Sequence, residues 1–340
     1  MRSGYFLTKA DFSPADDGLK KPLDEEVRKI IYNITGEWYS VERVHAGTFH
    51  FIFRARHNQR LLFLKIAQYR ELTSSLRVEE YLYRSVLDRS GIGVRILGSH
   101  FEDDPYSFPY ILLSGAAGAC LRDMDFSDPG FPGMVAAAGR ALSNLHKYTG
   151  VAGFGLIDPD SIGDAEGLTG SQPAWNEYIF LNLGKHLDYL HAEDRIDPRI
   201  LEEAGQILND NTRILEYHSP GRLLHGDPGS HNIFIHRRSN DLTCSIIDWE
   251  DSLLGDPVFD LAAFGSFFRM HEFLDSLIRG YSTINSGPLQ DNDFRLRLWL
   301  YYLRIVLAKG VLRFKLGYDI PGNSLAEPKI ILALEKLRSL

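Results

Sequence analysis

The sequence predicts an α+β chain folded as two lobes, a small antiparallel β-rich lobe carrying one helix and a larger, mostly helical one. Three observations predict this. The chain has 340 residues, more than one compact core usually holds. Its first third carries short β-branched and aromatic runs separated by polar turns. Beyond Ser114 the pattern shifts to the spacing of amphipathic helices.

Each element follows from local chemistry. Residues 1–37 read as a lead-in interrupted by Pro14 and Pro22, then a helix whose apolar face is Val27, Ile30, Ile31 and Ile34. Residues 39–44, 49–55 and 61–66 read as three strands of a meander, parted by breaks at 45–48 and 57–60. Residues 72–89 have helical spacing through Leu76, Glu79, Leu82, Tyr83 and Val86. Residues 94–97 and 110–113 are two further strands. The small lobe is therefore expected at 38–113 and the larger at 114–340. In the larger lobe, 134–146 is an Ala-rich helix. The Gly-, Asp- and Ser-rich stretch 157–172 is expected to be a loop, and 175–190 and 198–217 are helices. Short strands are expected at 223–226, 233–236 and 244–249. Asp256-Pro257 then starts the terminal run of helices, with a capping Asp and a Pro suited to the first helical position.

Composition narrows the class. Hydrophobic residues make up 44% and charged residues 24%, as in an ordinary globular protein. No run approaches the ~20 apolar residues of a membrane span, and the N-terminal stretch lacks the apolar core of a secretory signal. Two distant cysteines, Cys120 and Cys244, read as reduced thiols, so a cytoplasmic location is expected. A net charge of −8 argues against nucleic acid as a partner. It suits a cationic small molecule, and equally a plain acidic protein. Oligomeric state is left open.

The strongest chemical signal is His225-Gly226-Asp227-Pro228-Gly229-Ser230-His231-Asn232, followed by Ile246-Ile247-Asp248-Trp249-Glu250. Phosphoryl transfer needs one carboxylate to orient the attacking hydroxyl and take its proton. It also needs an amide and a second carboxylate to hold Mg²⁺ against the phosphates. Asp227 fits the first role, and Asn232 and Asp248 the second. Lys65, at the end of the third strand, offers a cation for the phosphates. A lysine buried there needs a partner. Glu79 is preferred, because Leu82 and Val86 share its helix face, with Glu80 left as the alternative. The turn at Gly47 would cover a nucleotide. Glu250 and Asp251 offer carboxylates to a cationic acceptor or simply line a turn. His225 is expected to bond backbone around the loop, and His231 to face solvent.

These residues resemble the aminoglycoside phosphotransferase and choline kinase-like family. The run 225–232 is similar to that family's catalytic loop. Residues 247–251, with Gly255-Asp256-Pro257 and Asp260-Leu261-Ala262, are similar to its metal-binding segment. The resemblance implies a bilobal protein-kinase-like fold and transfer of the γ-phosphate of ATP, with Mg²⁺, to a small-molecule hydroxyl. It implies Asp227 as catalytic base, Asn232 and Asp248 as Mg²⁺ ligands, and Lys65 on the α- and β-phosphates. The adenine is expected against the backbone near Leu113 and Ser114. The acceptor pocket is expected from the helical insertion at about 173–217. Asp248 and Gly255 lie too close for a peptide-binding activation segment, so the acceptor is small: an aminoglycoside, amino alcohol, amino acid or sugar. The loop 45–50 departs from a G-x-G-x-x-G lid in having one glycine.

Two other functions are weighed. A nucleotide-binding protein without turnover should lack one of the catalytic aspartates, the metal ligands or the lysine, and all are present. A metal-dependent hydrolase would draw on His225, Asp227, His231 and Asp248, and leaves the strand lysine and helical glutamate without a purpose.

Overall fold

A computed structural model describes residues 21–44, 49–69, 72–87, 91–102, 108–163, 167–193, 196–238, 241–317 and 325–340. The chain opens with α1 (Asp24–Thr35), whose first turn is acidic and whose Gly36, at φ 72°, ends it. Strands β1 (Ser40–Val44), β2 (His50–His57) and β3 (Arg60–Ala67) follow. Asn58, at φ 52°, turns β2 into β3. Helix α2 (Thr73–Tyr81) continues into a wider, π-type turn over Leu82–Leu87, where a regular helix was expected. Strands β4 (Ile96–His100) and β5 (Tyr110–Ser114) complete an antiparallel sheet in the order β1-β2-β3-β5-β4.

The period of two along β3 decides where its lysine goes. Leu62, Leu64 and Ile66 pack with Phe53, Leu112 and the Val27 and Ile31 face of α1. Lys65, between them, falls on the opposite face, paired in the ladder with Ile52 and Ile111.

After residues 115–118, β6 (Ala119–Cys120) leaves the first sheet for another, and α3 (Phe131–Leu145) follows. Strands β7 (Val151–Ala152), β8 (Phe154–Ile157) and β9 (Leu168–Gln172) come next. The last corrects the expected loop at 157–172. Its Gly and Ser residues hide a strand held by backbone pairing to β8, with Phe154 opposite Gln172. Helices α4 (Trp175–Phe180), α5 (Leu183–Ala192) and α6 (Pro198–Asp210) precede β10 (Arg222–Leu224). Strands β11 (Ile233–Arg238), β12 (Asp241–Ile246) and β13 (Leu253–Gly255) lead into α7 (Val258–Gly265). Helices α8 (Leu274–Ser282), α9 (Phe294–Lys315) and α10 (Glu327–Arg338) finish the chain. Two further sheets result, β10-β13-β8-β9-β7 and β12-β11-β6.

The larger core is built on α9, which is buried along most of its length, and on the α3–α8 contact. There the backbones touch. A Cβ on Gly139 would lie 2.1 Å from the Leu277 carbonyl oxygen, and one on Gly280 would lie 2.0 Å from that of Ala136. Trp175, Trp249 and Trp299 are all core residues. No helix among the described residues is long and apolar enough to cross a membrane.

Candidate active site

Two β-connections carry the aspartates. The loop holding Asp227 and Asn232 joins β10 to β11, and the turn holding Asp248 joins β12 to β13. Because β11 and β12 are antiparallel, with Ile233 opposite Ile246, Asn232 and Asp248 emerge at the same end of the ladder. The Ile247 N–H donates to the Asn232 carbonyl at 2.9 Å. Gly226 allows the two segments to touch: at φ 83° it carries no side chain, and a Cβ would lie 2.0 Å from the Asp251 carbonyl oxygen.

The backbone of the Asp227 loop is fixed from beneath. Buried Asp260, on α7, accepts from the N–H groups of His225 at 2.8 Å and Gly226 at 2.9 Å. The His146 ring pairs with the same carboxylate at 3.0 Å. His225 spends both ring nitrogens on backbone: Nε2 reaches the Ile247 carbonyl at 3.0 Å, and Nδ1 accepts from the Asp227 N–H at 3.2 Å. It has no nitrogen left for a metal, which removes a ligand from the hydrolase reading. His231 is half-buried rather than solvent-facing, with its ring 5.0 Å from Phe267.

Lys65 Nζ sits among three carboxylates: Glu79 at 2.8 Å, Asp248 at 2.5 Å and Glu250 at 2.8 Å. Burial pulls its pKa down, but Asp248, Glu250 and Glu79 together hold it well above the usual lysine range. Three carboxylates to one ammonium leave negative charge in surplus. Burial, reinforced by Asp248 and Glu250 against the pull of Lys65, pushes the Glu79 carboxyl up to about 7. Glu80 points elsewhere, taking Arg84 and the Ser99 hydroxyl.

Glu250 and Asp251, weighed in the sequence as acceptor contacts, are buried. Glu250 is engaged by Lys65 and by the His50 ring at 2.8 Å. The Ser114 N–H donates to the Arg95 carbonyl at 2.8 Å, and the Gly115 N–H to that of Leu61 at 2.8 Å. Both are therefore turned into the sheet, and Leu113 is paired within it. Gly47 lies outside the described residues.

Sequence reasoning missed His50, Tyr83 and Lys309. Tyr83 accepts from the Asp248 N–H at 3.2 Å, helping to hold Asp248 at φ 68°. Lys309 Nζ lies 3.5 Å from Asp227 Oδ1. Tyr83 lay in the marked helical pattern, whereas nothing local singles out the other two.

The donor set fits Mg²⁺. The Asn232 amide nitrogen donates to the Asp227 carbonyl at 3.1 Å, so Oδ1 is the side-chain atom it could offer a cation. The Asp248 side chain is 37% exposed. Both are hard oxygen donors, as Mg²⁺ requires. Glu79, Asp248 and Glu250 also place oxygens within 4.8 Å of one another, but Lys65 already fills the space between them.

Residues 41–299 match the model of the phosphotransferase enzyme family. Among solved structures, the chain is similar to a thermostable mutant of aminoglycoside phosphotransferase APH(4)-Ia in ternary complex with AMP-PNP and hygromycin B. That likeness has a TM-score of 0.65 at 19% identity and covers 91% of this chain and 98% of that one. A putative fructosamine-3-kinase from Thermobifida fusca gives 0.62 at 16% identity, covering 92% and 99%. A choline/ethanolamine kinase family protein from Mesorhizobium loti gives 0.56 at 18% identity, covering 93% of both chains. At these identities the likeness establishes the fold. The curated protein sequences contain no match.

Proposed function

The chain belongs to the phosphotransferase enzyme family, and from that premise we propose that it transfers the γ-phosphate of ATP to a hydroxyl of a small molecule, in a Mg²⁺-dependent reaction. The observation that carries this reading is the convergence of Asp227 and Asn232, Asp248 and Lys65 from three separate segments of chain.

In this reading Asp227 hydrogen-bonds the acceptor hydroxyl and takes its proton as the oxygen forms its bond to the γ-phosphorus. The bond from that phosphorus to the bridging oxygen of ADP breaks. Lys65, held by Glu79 on strand β3, places positive charge beside the phosphates. Asn232 and Asp248 would hold Mg²⁺, which when bound neutralises the charge of the phosphate oxygens. The adenine lies against the connector that follows β5, through groups other than the N–H groups of Ser114 and Gly115. The relatives point to acceptors among aminoglycosides, amino alcohols and sugar amines, and amino acids belong to the same range of small hydroxyl compounds. In the same reading the helical insertion at about 173–217 forms the acceptor pocket.

ADP release from Mg-ATP across a panel of such acceptors tests the reading, with Asp227→Asn as control. Acceptor-dependent release should fall by about 10²–10⁴-fold in the variant while ATP binding persists. Well-folded protein that fails to bind Mg-ATP would overturn it, and so would an Asp227→Asn variant of undiminished turnover.

A further inference from the structure

We propose that Lys309 is a positioning residue for phosphoryl transfer: its ammonium, set beside Asp227, fixes the direction in which that side chain faces. The inference rests on Asp227 being the acceptor of the hydroxyl proton.

Lys309 comes from α9, far along the chain from the catalytic loop, in a stretch otherwise occupied by buried apolar residues such as Ile305, Val306, Ala308 and Val311. A lysine in such a place is costly unless a specific contact compensates for it. Three of its contacts bear on the role of the ammonium. Nζ lies 3.5 Å from Asp227 Oδ1. It donates to Ser266 Oγ at 2.9 Å. It also sits 3.5 Å from the centre of the Phe267 ring, against the negative face of the π-system. Ser266 and Phe267 directly follow α7, the helix whose Asp260 holds the catalytic-loop backbone. One element therefore sets both the loop and the lysine beside it. Side-chain exposure is 6% for Lys309 and 12% for Asp227, so water screens the pair weakly.

Charged groups from several elements act on Nζ. Asp227 and Asp251 favour the ammonium, and Arg313 on the same helix opposes it. His231 faces it from the catalytic loop, and Lys329 of α10 donates to the carbonyl of Ser266. Burial outweighs the favourable charges of Asp227 and Asp251 and brings the Lys309 ammonium down to about 8. Below that pH the ammonium is present beside Asp227, and above it the carboxylate faces a neutral amine.

The test is kcat and KM against pH for the full chain. ADP release from Mg-ATP is followed with the fastest acceptor of the panel, or with water alone where none accelerates it. The wild-type rate should fall on the alkaline side with an apparent pKa near 8. Lys309→Met should lower kcat by about 10²-fold, leave the KM for ATP within about threefold, and abolish the alkaline fall. Lys309→Arg keeps the charge at all accessible pH. It should recover most of the rate without that fall. A Lys309→Met protein with wild-type kcat, or an alkaline fall that persists in Lys309→Arg, overturns the proposal. Should Lys309→Met fail to fold, Phe267→Leu retains both charges but removes the ring, and should move the fall to lower pH; an unmoved profile overturns the proposal equally. Asp227→Asn separates the two readings. If it stays active, Asp227 is not the base. If it is inactive while Lys309→Met is fully active, only the role of Lys309 falls.

Discussion

Glu79 accepts a hydrogen bond from the backbone N–H of Trp249 at 3.2 Å. Its other oxygen takes Lys65, so one buried carboxylate ties the small lobe's helix both to its strand and to the turn that presents Asp248. Glu79→Ala should therefore disturb the lysine and that turn together. The expected loss in kcat/KM for ATP is about 10²-fold, the scale of a misplacement of about 1 Å. Glu79→Gln keeps an acceptor for Trp249 and should lose less. Steady-state kinetics in ATP decide it, and an unchanged kcat/KM in the alanine variant would refute the coupling.

Asp260 should act on rate without touching substrate. Asp260→Ala strips the acceptor from two buried N–H groups, at about 1–3 kcal/mol each, and frees the loop that carries Asp227. Both the melting temperature and kcat should drop, with KM for ATP little changed. A variant that melts earlier yet keeps its kcat would show that the loop is placed by other contacts.

The α3–α8 contact should tolerate no added methyl. Gly280→Ala forces backbone against backbone and should destabilise by about 1–3 kcal/mol. Gly184, inside α5, has open space where a Cβ would go. Gly184→Ala should be neutral or stabilising by up to about 1 kcal/mol. Thermal melts of the two variants provide the contrast, and equal shifts would contradict it.

Acid should weaken the fold through His186. Burial, with Arg304 donating to its Nδ1 at 3.2 Å, lowers its pKa to about 3. Between that value and the unfolded value of about 6.5, the unfolded chain binds the extra proton. Stability is then full above pH 6.5 and declines as pH falls, by up to about 1.4 kcal/mol per unit from this group. Urea midpoints at neutral and mildly acidic pH should differ less in His186→Gln than in the wild type. Equal differences would assign the acid sensitivity elsewhere.

The legible parts of the fold were those with local signals. The apolar run ending at Lys65 marked a strand whose buried lysine needed a partner, and the spacing from Asp227 through Asn232 to Asp248 marked a loop and a turn flanked by short strands. The strand Leu168–Gln172 was not legible, because its composition is that of a loop and only its partner β8 makes it a strand. The hydrogen bonding of Ser114 was hidden for the same reason: Arg95 and Leu61 reach the connector through the sheet. His50 and Lys309 carry no sequence pattern at all. They acquire meaning only when β2 closes on Glu250 and α9 passes beneath Asp227.

Asp248 illustrates a conflict between foldability and use. It holds a left-handed backbone angle that glycine would adopt without strain, and it adds a third carboxylate to a group with one ammonium. Selection for a robust fold alone would favour glycine at this position. Under the proposed function, the need to bind a metal keeps the aspartate. In the proposed reaction the least comfortable residue of the turn is thus the one on which turnover depends, and sequences drifting towards stability at position 248 would drift away from activity.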